Sequence, residues 1–176
     1  MPLVSIIMNC HNGERYLRES IKSIISQIYK NWELIFFDNQ STDDTKKIIS
    51  KFNDKRIRYF KSKKFLNLYE ARNLAILKAK GKYISFCDYD DWWNKDKLIK
   101  QIDYVKKNTK VNFIFSNLNI YNEKTKKSFL HFKEMPSGKI TQTLLNNYKL
   151  GILSVFMHKK LFKNNKFNKR YNIIGD

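Results

Sequence analysis

Two rhythms of apolar residues alternate along the first two thirds of this chain. Leu3–Asn9 and Trp32–Asp38 are nearly continuous apolar runs of strand length, as expected of strands buried on both faces of a parallel sheet. Between them Leu17, Ile21, Ile24, Ile25 and Ile28 recur at helical spacing, with Arg18, Glu19 and Lys22 on the other face. The turn Asn12-Gly13 separates the two rhythms. After the second run, Asn39–Asp43 is polar and turn-like, and Ser41 or Thr42 is expected to cap a helix reaching about Phe52. Ile57–Phe60 reads as a third strand. Tyr69–Lys80 reads as a helix with Ala71, Leu74, Ala75 and Leu77 on its apolar stripe and Gly81 ending it. Tyr83–Cys87 is a fourth strand, and a helix from about Asn94 to Lys107 buries Leu98, Ile99, Ile102 and Val105.

Strands that alternate with helices over short connections form βαβ units, so the fold class is α/β, with an open, mostly parallel, Rossmann-like sheet covered on both faces. Beyond Asn108 the style changes. Val111–Tyr121 reads as one long strand, Ser128–Phe132 as its hairpin partner, Ile140–Tyr148 as a short helix and Ile152–His158 as a further strand. No repeat, low-complexity block or Pro-rich linker interrupts the chain. The expectation is one domain, 1–176, with a ligand-binding half (1–91) and a mixed second half (92–176).

Composition narrows the class of molecule. With 42% hydrophobic and 15% aromatic residues the chain is globular, and its 176 residues can bury a sizeable core. The longest uncharged apolar stretch, Leu3–Met8, is far too short to span a bilayer and lacks the basic flank of a signal peptide. Cys10 and Cys87 make no disulfide framework and no zinc spacing, which points to a reducing, cytoplasmic compartment. Lys and Arg number 35 against 16 Asp and Glu, a net charge of +19 that is steepest toward the C-terminus. No nucleic-acid motif accompanies it, so nucleic acid is not the expected partner. A Lys-rich face suits an anionic membrane leaflet instead, at roughly 1 kcal/mol per well-placed basic residue.

In open α/β sheets, ligands sit beyond the carboxyl ends of the strands. There the chain places Asn9, Cys10, His11 and Asn12 after strand one, Asp38 and Asn39 after strand two, and Asp88, Tyr89, Asp90 and Asp91 after strand four. Neither the Gly-rich dinucleotide turn nor the Walker lysine loop is present, which argues against NAD and P-loop chemistry. The acids carry the strongest signal. Like charges that close are costly without a cation between them, and a hard divalent ion shared with substrate phosphates is one solution. The other is that the acids, Asp91 above all, cap the helix starting near Asn94. His11 by itself reads as a ligand or base or, as a lone His more often is, a packed or solvent-facing ring, and Arg72 as a phosphate ligand or a snorkelling side chain. Trp92-Trp93 reads as core plus a half-exposed ring, or as a floor for a sugar. The two thiols read as inert and buried.

Taken in order, Val4–Met8 with Asn12, Ser23–Gln27, Trp32–Ile35, Asp38, Ser41-Thr42-Asp43, Ala71-Arg72-Asn73, Gly81–Ile84 and the Asp88-x-Asp-Asp run resemble the family 2 inverting glycosyltransferases of GT-A fold. The resemblance is dense over residues 3–107 and thin beyond. It implies a metal-dependent transfer of a sugar from a nucleoside-diphosphate sugar, UDP-linked by expectation, to an acceptor hydroxyl in the synthesis of a bacterial surface glycan. The acceptor would be a glycan or lipid-linked glycan, and the enzyme cytoplasmic or peripheral at the inner membrane face. By the same resemblance Asn9 and His11 line the base pocket, Asp38 and Asn39 contact base and ribose, Arg72 reaches the nucleotide, and Tyr89 lies beside it. Asp88, Asp90 and Asp91 form the metal site for Mn²⁺ or Mg²⁺. Asp176, in Ile174-Gly175-Asp176, is the implied general base. Relatives commonly carry Asp where this chain has Asn39, and they commonly continue past the point where it stops, so a C-terminally truncated enzyme is expected. The alternatives are a donor-binding fragment without catalysis and, more distantly, a nucleotidyltransferase.

Overall fold

The computed structural model describes residues 1–146 and 150–171. Its centre is a six-stranded sheet in the order β3-β2-β1-β4-β8-β5. β1 (Val4–Cys10), β2 (Trp32–Asp38), β3 (Ile57–Lys61) and β4 (Tyr83–Phe86) run parallel. β8 (Val155–His158) pairs antiparallel with β4, and β5 (Phe113–Phe115) antiparallel with β8, so that β8 alone runs against the other strands.

Alternation along each strand explains why the first two runs are apolar throughout. Ile6 and Met8 of β1, with Leu34 and Phe36 of β2, face a core closed by α1 (Leu17–Ile25), α2 (Thr45–Ile49) and α4 (Lys97–Lys107). Ile7, Ile35 and Phe37 point the other way, onto Ala71, Ala75 and Ile76 of α3 (Leu68–Lys78). The short side chains of α3 let it lie close to the sheet. Gly81 is demanded by a similar approach: a Cβ there would lie 2.6 Å from the Ser5 amide nitrogen. Beneath it, at the strand ends away from the site, buried Glu33 accepts from Ser5 Oγ (2.6 Å) and pairs with Arg58 (2.6 Å). Burial alone would raise this carboxyl, but the bonds from Ser5, the Lys80 amide and Arg58 bring it below its ordinary value.

The second half departs from the expected elements. The long strand expected over Val111–Tyr121 is two, β5 and β6 (Asn119–Asn122), because Asn117 bends the chain between them. Its side-chain amide donates to the Phe132 carbonyl (2.7 Å) and accepts from the Phe132 amide (3.0 Å), taking the place of a backbone pair. Among the described residues β6 then pairs only with β7 (Lys127–Leu130), as a hairpin separate from the main sheet. Ile152–Ser154, expected as strand, is a helical turn before β8. α5 (Thr141–Asn146) fills the described part of the expected Ile140–Tyr148 helix, whose remainder lies outside the described residues. Ile28, Leu74 and Leu77, expected on apolar stripes, are 51%, 37% and 71% exposed.

Candidate active site

The loops that follow β1 and β2 are zipped together. Asn12 Oδ1 accepts from the Thr42 amide (2.8 Å), Ser41 Oγ from the Asn12 amide (3.0 Å), Thr45 Oγ1 from the Gly13 amide (2.8 Å) and Asp43 from the Glu14 amide (2.9 Å). Ser41 and Thr42 therefore serve the loop and do not cap α2, whose N-cap position is Asp44; Asp43, one residue before it, accepts from the Thr45 amide (3.0 Å). Asn12 and Gln40 sit at φ of 54° and 64°, the left-handed region that Asn tolerates best. Gly13 is required by contact, since a Cβ would lie 2.5 Å from Cys10 Sγ and 2.9 Å from the Tyr89 ring.

Asp38 and Asn39 are held inside this frame. Asp38 is fully buried, one carboxylate oxygen accepting from the Ser41 amide (2.8 Å) and the other from Tyr59 Oη (2.5 Å). Asn39 is 7% exposed; its amide donates to the Leu66 carbonyl (2.8 Å) and accepts from the Leu66 amide (3.0 Å). The two side chains expected to meet base and ribose are thus engaged with the protein. What they present outward is indirect. The Asn39 carbonyl lies 3.0 Å from His11 Nδ1, and because a carbonyl only accepts, Nδ1 carries the proton and Nε2 is left as an acceptor. His11 is exposed and packs edge-on against exposed Phe65, centroids 4.9 Å apart. At the end of β1, Asn9 is 7% exposed and its Nδ2 has no hydrogen-bond partner among the described residues. A buried donor without an acceptor is costly in the free protein and favours an incoming acceptor.

Beyond β4 lie the acids. Arg72 reaches their edge from α3, buried among Tyr69, Phe86 and Phe167, with its guanidinium 3.6 Å from Asp88. The exposed edge of the cluster is Asp90, and the half-buried Tyr89 packs behind Gly13. Asp91 is pushed up to about 7 by burial, then by the charges of Asp88 and Asp90. It does not cap a helix: α4 starts at Lys97, six residues on, which removes the capping account. No group of three or more candidate metal ligands is preassembled among the described residues. An all-oxygen set of one or two carboxylates, completed by substrate phosphates, is nevertheless the usual mode of Mg²⁺, and Asp88 and Asp90 stand close enough for their charges to add to the larger effect of burial on Asp91. The residues present fit such an ion.

A stripe along α1 and the turn after it, which the periodicity did not single out, holds this loop in place. Ser20, Ser23 and Gln27 share one face at three- and four-residue spacing. Ser20 Oγ donates to the Asp88 carbonyl (3.2 Å), Ser23 Oγ accepts from the Trp93 amide (3.1 Å), and Gln27 bonds both the Asn94 carbonyl (2.8 Å) and the Leu98 amide (3.1 Å). That spacing of short polar residues along the edge of the apolar stripe was the available signal. Asn73 likewise holds the C-terminal segment, bonding the Phe167 carbonyl (2.8 Å) and amide (3.0 Å). Asp176 lies outside the described residues. Cys10 and Cys87 are buried, and burial pushes the Cys10 thiol up to about 12, so neither is a nucleophile at neutral pH.

On the far side of Asp90 and Asp91 opens a cleft of about 760 Å³ between the start of α4 and the β6–β7 hairpin. Trp92, 50% exposed, meets Tyr121 of the hairpin edge-on at 6.1 Å, while Trp93 is core. The half-buried Lys97 lies over the Trp93 ring (4.2 Å) and bonds Ser85 and Gln101; its burial lowers its pKa to about 7.

Comparison with known proteins places this arrangement. Residues 5–170 match the glycosyl transferase family 2. The chain is 36% identical over 160 residues to the UDP-Glc:alpha-D-GlcNAc-diphosphoundecaprenol beta-1,3-glucosyltransferase WfgD of Escherichia coli, covering 90% of this chain and 61% of that one. It is 30% identical over 162 residues to the putative teichuronic acid biosynthesis glycosyltransferase TuaG of Bacillus subtilis, covering 90% and 63%. The chain therefore spans less than two thirds of the length of these relatives. Among solved structures, S. aureus TarS 1-349 in complex with UDP-GlcNAc superposes with a TM-score of 0.80 at 23% identity, over all of this chain and 51% of that one. A Pyrobaculum calidifontis mannosyltransferase in complex with GDP-Man and Mn²⁺ superposes with a TM-score of 0.71 at 17% identity, over 96% and 48%. The shared architecture is the GT-A fold.

Proposed function

The chain belongs to glycosyl transferase family 2, and from that premise we propose that it binds a UDP-sugar across the ends of β1, β2 and β4 and transfers the sugar, with inversion, to an acceptor hydroxyl in bacterial surface-glycan synthesis. The observation that carries the reading is the acid run at the end of β4, braced by Arg72 from one side and by the Ser20–Gln27 stripe from the other. His11 and Phe65 flank the base, with His11 Nε2 accepting the uracil imide N–H and Asn9 donating to the nucleotide. Asn39 and Asp38 act through the loops they fix. Asp90, with Asp88 oriented by Arg72, would hold a Mn²⁺ or Mg²⁺ ion, which when bound supplies charge neutralisation for the departing diphosphate.

The cleft beyond Asp90 receives the acceptor, with Trp92 and Tyr121 as its aromatic surface. A carboxylate, assigned to Asp176, takes the hydroxyl proton as the new glycosidic bond forms and the sugar–phosphate bond breaks to release UDP. An ordinary carboxyl is ionised at neutral pH and ready to accept. The donor and lipid-linked acceptor named for WfgD, and the UDP-GlcNAc bound by TarS, support the same substrate classes here. No helix among the described residues is long and apolar enough to cross a membrane, which fits a peripheral, cytoplasm-facing enzyme working on a lipid-linked glycan.

The test is UDP release from UDP-glucose and UDP-N-acetylglucosamine, with and without a GlcNAc-diphosphate lipid. Acceptor-stimulated release is expected, and Asp176→Asn should lower it by about 10²–10⁴-fold while leaving UDP affinity unchanged. UDP binding without turnover would make this a donor-binding module; turnover insensitive to Asp176→Asn would move the base elsewhere.

A further inference from the structure

The β6–β7 hairpin presents a surface that the described residues leave uncovered. Its geometry is fixed at both ends: Asn117 clamps Phe132 at the base, and Arg15 pairs with Glu123 (2.8 Å) near the tip. Between those anchors its two strands pair with no other strand among the described residues, and every residue from Asn119 to Leu130 is exposed. Six of the fourteen large hydrophobic side chains left exposed among the described residues, Ile120, Tyr121, Phe129, Leu130, Met135 and Leu145, fall on the hairpin and the segment after it. Ile120 and Phe129 are directly opposed across the strands, so they share one face of the ribbon. The hairpin and the segment after it carry Lys124, Lys126, Lys127 and Lys133, against Glu134 and a Glu123 that pairs with Arg15.

We infer that this hairpin is the element by which the protein sits on an anionic phospholipid surface, its lysines among the headgroups and Phe129 in the interface. Exposed aromatic and aliphatic side chains set among lysines are the combination that interfacial binding needs: apolar area for the acyl boundary and positive charge for the leaflet. A soluble partner would call for a matched apolar groove, whereas a bilayer accepts a narrow prong of this kind. The position also suits the proposed reaction, and this part rests on that reading. The hairpin is one wall of the cleft that begins at Asp90 and Asp91, so a hairpin resting on the bilayer opens the cleft where a lipid-linked acceptor would present its sugar.

The test is sedimentation of the full chain with phosphatidylcholine vesicles, with and without phosphatidylglycerol, at low and high salt. Binding is expected to require phosphatidylglycerol and to weaken with salt. Lys124→Ala/Lys126→Ala/Lys127→Ala should lower the partition coefficient on the order of a hundredfold, since each basic residue near the surface contributes about fivefold. Phe129→Ser should lower it by about tenfold or more. A control on α2 and the turn after it, Lys46→Ala/Lys47→Ala/Lys51→Ala, removes the same charge elsewhere and should cost only a few-fold. Absence of binding to anionic vesicles, or equal losses in the hairpin and control triples, overturns the inference. So does a Phe129→Ser protein that binds as well as the parent, because the patch would then be a general polyanion surface. UDP titration of each variant, expected to match the parent, separates this inference from the proposed function. Vesicle binding in a chain without UDP affinity defeats only the latter.

Discussion

At the residue scale, the site shows side chains working through the backbone they hold. Asp38 and Asn39 lie where the strand-end rule puts ligand residues, and their position was legible in the sequence. Their orientation was not, because it depends on Tyr59 and Leu66, neighbours brought close only by the fold. Replacing Asn39 by the acid common at this position in relatives therefore has a structural consequence first. Asn39→Asp loses the donor to the Leu66 carbonyl and sets a carboxylate against it. We expect a loss of about 1–3 kcal/mol in denaturant unfolding. An unchanged midpoint would mean that the amide is free to turn toward the base. His11 is the converse case. Its exposure and its Nδ1 tautomer follow from one carbonyl, and nothing in the sequence separated it from a packed ring.

At the scale of elements, β1 to β4 and their helices were readable because each apolar run has a matching partner on both faces of the sheet. The second half was less so, and for a local reason. A continuous β-rich stretch gives no sign that Asn117 will satisfy Phe132 with its side chain and split the strand. The acid loop was found but its supports were not, since Ser20, Ser23 and Gln27 look like the polar side of α1 until the loop is laid across them. α4 also carries a prediction in Lys97, which ties Ser85 and Gln101 together beneath the cleft. Its folded pKa, lowered by burial to about 7 from 10.5, means that the unfolded chain binds the extra proton above pH 7. Stability from this group should therefore rise as pH climbs from about 7 and be fully gained near the unfolded value. Below pH 7 the lysine is charged in both states and the buried charge is simply borne. Thermal melts of the parent and of Lys97→Met should converge as pH rises from 7 to 9, with the variant relatively more stable at pH 6. A constant difference would show that the ammonium stays well solvated.

For the whole molecule, the donor side and the acceptor side differ in construction, and the net charge of +19 is concentrated toward the latter. On one side are fixed loops, buried acids and a rigid parallel sheet. On the other are a two-stranded ribbon, a short helix and a row of exposed lysines. This division suits a protein that must hold a small, charged donor in one geometry while meeting an extended surface on its other flank. The central claim is that the ends of β1, β2 and β4 form a nucleotide site completed by a divalent ion at Asp90. Calorimetric titration of UDP with Mn²⁺ and then with EDTA, on the parent and on Asp90→Ala, tests it most directly. The account predicts Mn²⁺-dependent binding in the parent and loss of that dependence in Asp90→Ala, with melting unchanged because Asp90 is exposed. UDP binding of equal strength with and without Mn²⁺, or no binding of UDP at all, would contradict it.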